Sequence, residues 1–162
     1  MSRYPRWAVI HLRIEGDLLV FPSVRDAGLE AVEVEQLQQT INIISSTPNL
    51  SAVYLATGIQ EEKFDNVVNI LNDKFPHITV TRKNNILKHY PKIKEELESL
   101  SLEEQALIDW LVCIGAPFFA GTHASSFAYL AAYMRHYRGL DKETTNLWPE
   151  YQPLWDAWFP RV

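Results

Sequence analysis

The sequence predicts an α/β domain, a parallel β-sheet flanked by helices, on three observations. Short apolar runs rich in β-branched residues alternate with longer amphipathic stretches, turn residues close each run, and glycine, proline or a serine cap marks the helix ends. Strands of about four to eight residues alternating with helices of about ten to fifteen are the pattern of βαβ units. Parallel neighbours need a long crossover, and a helix supplies it with a right-handed turn. In such sheets ligands bind at the carboxyl ends of the strands, so the chemistry should follow the strands.

Trp7 to Ile14 (WAVIHLRI) reads as a buried first strand ending in the turn Glu15-Gly16-Asp17, and Leu18 to Gly28 shows no period. From about Glu33 to Ser46, Leu37, Ile41 and Ile44 form one stripe of a helix that Thr47-Pro48-Asn49 stops. Ala52 to Ala56 is a second strand, closed by Thr57-Gly58. Glu61 to Phe75 carries Phe64, Val67, Val68, Leu71 and Phe75 on one helical face, and Ile78 to Thr81 is a third strand.

Arg82 to Leu100 is rich in lysine and glutamate, with Lys92 to Leu100 a solvated helix. Ser101 and Glu104 form a capping box, each side chain satisfying a backbone amide at the start of a helix from Leu102 to Ile114. Gly115 and Pro117 supply its stop. Pro117 to Ala120 makes a fourth strand and Gly121 to Ala124 a turn. A last helix from Ser125 shows Phe127, Leu130, Ala131 and Met134 as its apolar stripe and ends at Gly139. The aromatics of the tail, about residues 140–162, are Trp148, Tyr151, Trp155, Trp158 and Phe159, and they read as packing surface rather than a sugar platform.

With 162 residues the chain has the size of one domain spanning residues 1–162. A net charge of −5 argues against nucleic acid as a partner, although a local basic pocket stays compatible with it. No apolar run approaches the roughly 20 residues that span a bilayer, so direct membrane insertion is not expected. The single cysteine, Cys113, precludes an internal disulfide, and the histidines lack zinc spacing, so no metal is expected. Neither a GxGxxG fingerprint nor a Walker loop is present, which disfavours nicotinamide cofactors and ATP-type loops. The segment Met1 to Arg6 lacks the pattern of a secretory signal, and the early first strand suits either a lone domain or a piece of a longer enzyme.

Three places can carry chemistry. In Gly121-Thr122-His123-Ala124-Ser125-Ser126-Phe127 a strand passes into a helix opened by two serines, and amides, helix dipole and hydroxyls together make a seat for phosphate. Ser125 fits equally as a plain helix cap. His11 and Arg13 alternate with apolar neighbours at the end of the first strand, and an arginine there can hold a diphosphate bidentately. Pairing of Arg13 with Glu15 or Asp17, with His11 a core histidine, is the plainer alternative. Asp109 is the one charged residue in ALIDWLVCI and needs a partner if buried: guanine, through its N–H donors, or a neighbouring loop.

HLRIE at 11–15, VYLAT at 53–57 and the block from Ala106 to Gly139 together resemble the O-fucosyltransferase superfamily. That block matches the family's helix with a central aspartate, its strand ending in Phe-x-Gly and its Ser-Ser/Thr-Phe helix start, closed by an arginine and a glycine. The resemblance implies a Rossmann-like sheet corresponding to the C-terminal half of a GT-B glycosyltransferase, the half that binds GDP-fucose. It implies an inverting transfer of fucose to a protein or glycan hydroxyl, with no cofactor beyond the donor. Arg13 would act catalytically on the departing diphosphate with His11 beside it; Asp109 would recognise guanine; Thr122, Ser125, Ser126 and Phe127 would complete the donor site. Relatives work in the ER and Golgi. The N-terminal half of such enzymes has no counterpart before Trp7, and Gly58 stands where many relatives carry an acidic or hydroxyl residue. A missing half or second chain is therefore expected for full catalysis, and a non-catalytic nucleotide-sugar or protein-interaction module is the alternative function.

Overall fold

The computed structural model describes residues 6–140 and 144–148. Its elements are β1 (Arg6–His11), a 3₁₀ turn (Gly16–Val20), α1 (Pro22–Ala27), α2 (Leu29–Ser46), β2 (Leu50–Ala56), α3 (Glu61–Lys74) and β3 (Thr79–Thr81). There follow α4 (Lys83–Leu87), α5 (Pro91–Glu98), α6 (Leu102–Gly115), β4 (Phe119–Thr122), α7 (Ser126–Tyr137) and β5 (Thr145–Trp148). All the strand pairs are parallel and the order across the sheet is β3-β2-β1-β4-β5. This is the expected α/β, Rossmann-like arrangement. The order reverses between β1 and β4, the place where open parallel sheets leave a crevice for ligands.

The register explains the two-sided core. Val9 lies between Tyr54 and Phe119, and Ile10 between Leu55 and Ala120. Successive side chains of β1 point to opposite faces, so Ala8 and Ile10 join a core with Leu55, Phe64 and Leu71, while Val9 joins Tyr54, Cys113, Phe119 and Ala131 on the other. Helices cover both faces, which is why β1 is apolar almost throughout. No helix among the described residues is long and apolar enough to cross a membrane.

Several boundaries depart from the sequence reading. Helix α2 starts at Leu29 rather than near Glu33: its first turns bury no residue and so carry no apolar period, and its buried face includes polar Gln36 and Thr40, to which apolar periodicity is also blind. The stretch before it is a 3₁₀ turn followed by a short helix with Pro22 in its first turn. Strand β4 runs through Gly121 and Thr122, which had read as turn. Strand β5 had no strand signal of its own, yet Trp148 is buried there as core, the role expected of the tail aromatics. Tyr151, Trp155, Trp158 and Phe159 lie outside the described residues.

The stripe assigned to α7 is corrected as well. Leu130 is 52% and Met134 36% exposed, whereas Ala128, Ala131, Ala132 and Arg135 are buried. The reason is close approach. A Cβ built on Gly121 would stand 2.8 Å from the Cβ of Ala128, so only glycine lets the helix lie this near to β4. Small side chains face the sheet, Phe127, Tyr129 and Tyr133 pack partly buried beside them, and Leu130 and Met134 are turned outward.

Arg135 is the exception on that small face, fully buried among neutral partners. Its guanidinium donates to the carbonyls of Cys113 (3.0 Å) and Ala116 (2.6 Å) at the end of α6, and to Thr145 Oγ1 (2.8 Å) and the Thr144 carbonyl (2.8 Å) beside β5. The negative end of the α6 dipole stabilises this cation, although burial lowers its pKa to about 10. One side chain thus joins α6, α7 and β5. Arg135→Met leaves those carbonyls buried without a donor, and urea unfolding should show a loss of about 3 kcal/mol or more. Arg135→Lys, unable to reach partners on so many sides, should recover only part of it.

Candidate functional site

Elements from across the chain meet at the carboxyl edge of the sheet. Around a cavity of about 660 Å³ stand His11 at the end of β1 and Arg13 after it, Thr57 and Gly58 after β2, Lys83 after β3, Asp109 from α6, and Ser125, Ser126 and Phe127 at the start of α7. Arg13 and Ser125 therefore share one rim. Thr122 borders a neighbouring cavity of about 320 Å³, which Arg13, Ser125 and Ser126 also line. Its hydroxyl accepts the Ala124 amide at 3.3 Å and so shapes the turn. A larger hollow of about 740 Å³ is lined only from within 27–39, away from the strand ends.

Arg13 is held at backbone and side chain. Its N–H donates to Gln36 Oε1 at 2.8 Å and its carbonyl accepts from Gln36 Nε2 at 2.5 Å, which fixes the chain as it leaves β1. Its guanidinium pairs with Glu15 at 2.7 Å and Asp17 at 2.6 Å, the plainer role that the sequence left open. These partners differ. Glu15 also accepts the Gly58 amide at 2.8 Å and the Thr57 hydroxyl at 3.3 Å. Burial pushes its carboxyl up, yet the Gly58 N–H and Arg13 together hold it below the usual carboxylate range. Asp17 is 64% exposed, and its side-chain partner is Arg13, with further bonds from nearby backbone amides. Hydrogen bonding to Asp17, more than any other influence, raises the pKa of Arg13.

His11 faces the α6 and α7 side, 5% exposed, with its ring stacked on Phe127 at 4.5 Å and 24°. Its Nδ1 is buried with no hydrogen-bond partner among the described residues. Burial is the main cause that lowers its pKa to about 4, so the imidazole is neutral at pH 7. Next to it, Ser125 occupies the cap position of α7 with extended backbone, but its side chain makes no capping hydrogen bond. The hydroxyl therefore does not play the plain cap role at this edge, where the first-turn amides of α7 and the positive end of its dipole also lie.

Asp109 is 4% exposed. Tyr54 donates its hydroxyl to Oδ1 at 2.5 Å, and Lys83 pairs with Oδ2. Burial is the largest influence and pushes the Asp109 carboxyl up, with the hydrogen bonds from Lys83 and Tyr54 opposing it. Burial also raises the Tyr54 hydroxyl, which stays a donor. Neither partner stood out in the sequence. Lys83 is the second residue after β3, so the strand-end rule alone could have marked it, but it lies in the lysine- and glutamate-rich stretch from Arg82 to Leu100. Tyr54 looked like one more apolar residue of a buried strand.

The His11 environment yields a sign for acid stability. The unfolded chain takes a proton near pH 6.5 and the native imidazole only near 4, so stability present above 6.5 is lost as pH falls towards 4. Between pH 7 and pH 5 this amounts to about 2 kcal/mol. Urea unfolding at the two values should show His11→Gln losing less stability over that interval by about that amount; an identical loss would contradict the buried neutral ring.

A search of curated proteins finds no match. The model of the family GDP-fucose protein O-fucosyltransferase matches residues 2–138, which run from β1 through α7 and include every group that lines the strand-end cavity. The chain belongs to the GDP-fucose protein O-fucosyltransferase family.

Proposed function

We propose that this fucosyltransferase-like domain binds GDP-fucose in the crevice between β1 and β4 and serves transfer of the sugar, with inversion, to a protein or glycan hydroxyl. The observation that carries the reading is the convergence of Arg13, Asp109 and the Ser125-Ser126-Phe127 helix start on one cavity at the switch point of the sheet. Its volume of about 660 Å³ suits a nucleotide-sized ligand.

In this reading the diphosphate lies against the start of α7, taking the first amides and the Ser125 and Ser126 hydroxyls, with Phe127 and His11 packed beside it. Arg13 exchanges its exposed partner Asp17 for phosphate oxygens while Glu15, anchored on Gly58, keeps the guanidinium aimed. Asp109 accepts from the N–H groups of guanine. The acceptor oxygen bonds to the anomeric carbon and gives its proton to solvent water as the bond to the phosphate oxygen breaks. The electron pair stays on the diphosphate, where Arg13 offsets the charge.

Calorimetry with GDP, ADP and UDP tests this. GDP should bind at least about 10-fold tighter than the other two, since a site built to hydrogen-bond one base leaves buried groups unpaired with another. Asp109→Ala should reduce that preference. Arg13→Ala should weaken all diphosphates by about 10-fold or more while leaving guanosine itself unaffected. Equal or absent binding of all three nucleotides by the wild-type chain would remove the proposal.

A further inference from the structure

We infer that Lys83 is a specificity residue: with Asp109 it forms a donor–acceptor pair that reads guanine, the ammonium donating to the O6 carbonyl and the carboxylate accepting from N1–H and the N2 amine. The inference rests on the nucleotide-binding reading above and extends it to a residue that reading does not use.

Three observations support it. The Lys83 side chain is only 13% exposed, and it lines the same cavity as Asp109. Its placement is built in by its neighbour: Arg82 donates to the Ile59 carbonyl at 2.6 Å, pairs with Glu61 and lies 4.2 Å over the Phe64 ring. With Arg82 fastened beneath α3, the next residue is directed to the sheet edge. The Lys83–Asp109 pair also leaves capacity unused. An ammonium has three donors and a carboxylate about four acceptor sites, whereas among the described residues their side-chain contacts are one ion pair and one hydroxyl from Tyr54.

The remaining donor and acceptor sit side by side, and guanine offers the complementary order of acceptor O6, then donors N1–H and N2. Adenine offers a donor amine to the ammonium and a lone pair to the carboxylate, which is repulsive at both positions. Uracil matches O4 and N3–H but presents a carbonyl to the carboxylate where guanine has its amine. The pair therefore separates guanine from each by a clash as well as by a lost bond.

The test uses the full chain and GDP, inosine diphosphate, the diphosphate of 2-aminopurine riboside, and ADP. Wild type should bind GDP tightest, inosine diphosphate next, and the 2-aminopurine compound, which lacks O6 and N1–H, far more weakly. Lys83→Met should weaken GDP and inosine diphosphate by about 10- to 100-fold and leave the 2-aminopurine compound nearly unchanged, because that ring offers Lys83 nothing. Lys83→Arg should keep the preference. An equal loss across all four ligands would overturn the inference and make Lys83 a support for Asp109 only. Should Lys83→Met not fold, infrared spectra of wild type with GDP labelled at O6 decide: a carbonyl stretch shifted down from its value in water supports the contact, and an unshifted one overturns it. Wild type that prefers GDP while Lys83→Met keeps the GDP to 2-aminopurine ratio removes this inference alone; wild type with no preference for GDP removes the nucleotide reading with it.

Discussion

A carboxylate held in the interior is the constraint around which this edge of the molecule is organised. Asp109 sits in the middle of α6 against the sheet, and a buried charge without donors would cost several kcal/mol. Its donors come from Tyr54 on β2 and Lys83 after β3, so satisfying one side chain fastens α6 to the ends of two strands. The far end of the same helix is fastened by Arg135 through the Cys113 and Ala116 carbonyls. A helix pinned by charge at its middle and its end cannot slide along the sheet. The cavity wall it forms keeps its distance from β1 and α7.

The electrostatic character of the rim differs from a simple positive pocket. Arg13 is matched by Glu15 and Asp17, and Lys83 by Asp109, in a chain whose net charge is −5. An anion would enter by exchange of partners rather than by attraction to an open cation. The arrangement suits exchange because the two acids on Arg13 are unequal: one is tethered to Gly58 and Thr57, and the other is on an exposed 3₁₀ turn. His11 adds no charge of its own. Its ring is neutral at pH 7, and its buried Nδ1 has no hydrogen-bond partner among the described residues.

Much of the fold was legible in the sequence because β1, β2 and β4 are largely buried and so read as apolar runs, while capping and stop residues marked α6 without ambiguity. What escaped was packing that does not follow apolarity. Gln36 and Thr40 are buried because they bond to backbone, and α7 turns alanines rather than its largest apolar residues to the sheet because Gly121 allows close contact. Of the site, the residues after β1 and β4 were readable from the strand-end rule and from helix-start chemistry. Lys83 was not, since its meaning depends on β3 lying two strands from β1 and on a partner 26 residues further along the chain.

The depth of the cavity at the start of α7 follows from the same close packing. Gly121 lets α7 approach β4, and the turn from Thr122 to Ala124 then brings the helix start to the rim where β1 ends. His11 has its Cβ beside the position a Gly121 Cβ would take, at 3.3 Å, and its ring stacks on Phe127. His11 at the end of β1 and Phe127 in the first turn of α7 are therefore set by one backbone approach. A bulkier residue at 121 would push α7 outward and separate the helix amides from Arg13, even though it touches neither. The sheet, the glycine and the buried acid thus place groups far apart in sequence within reach of one ligand, which no single segment of the chain could do.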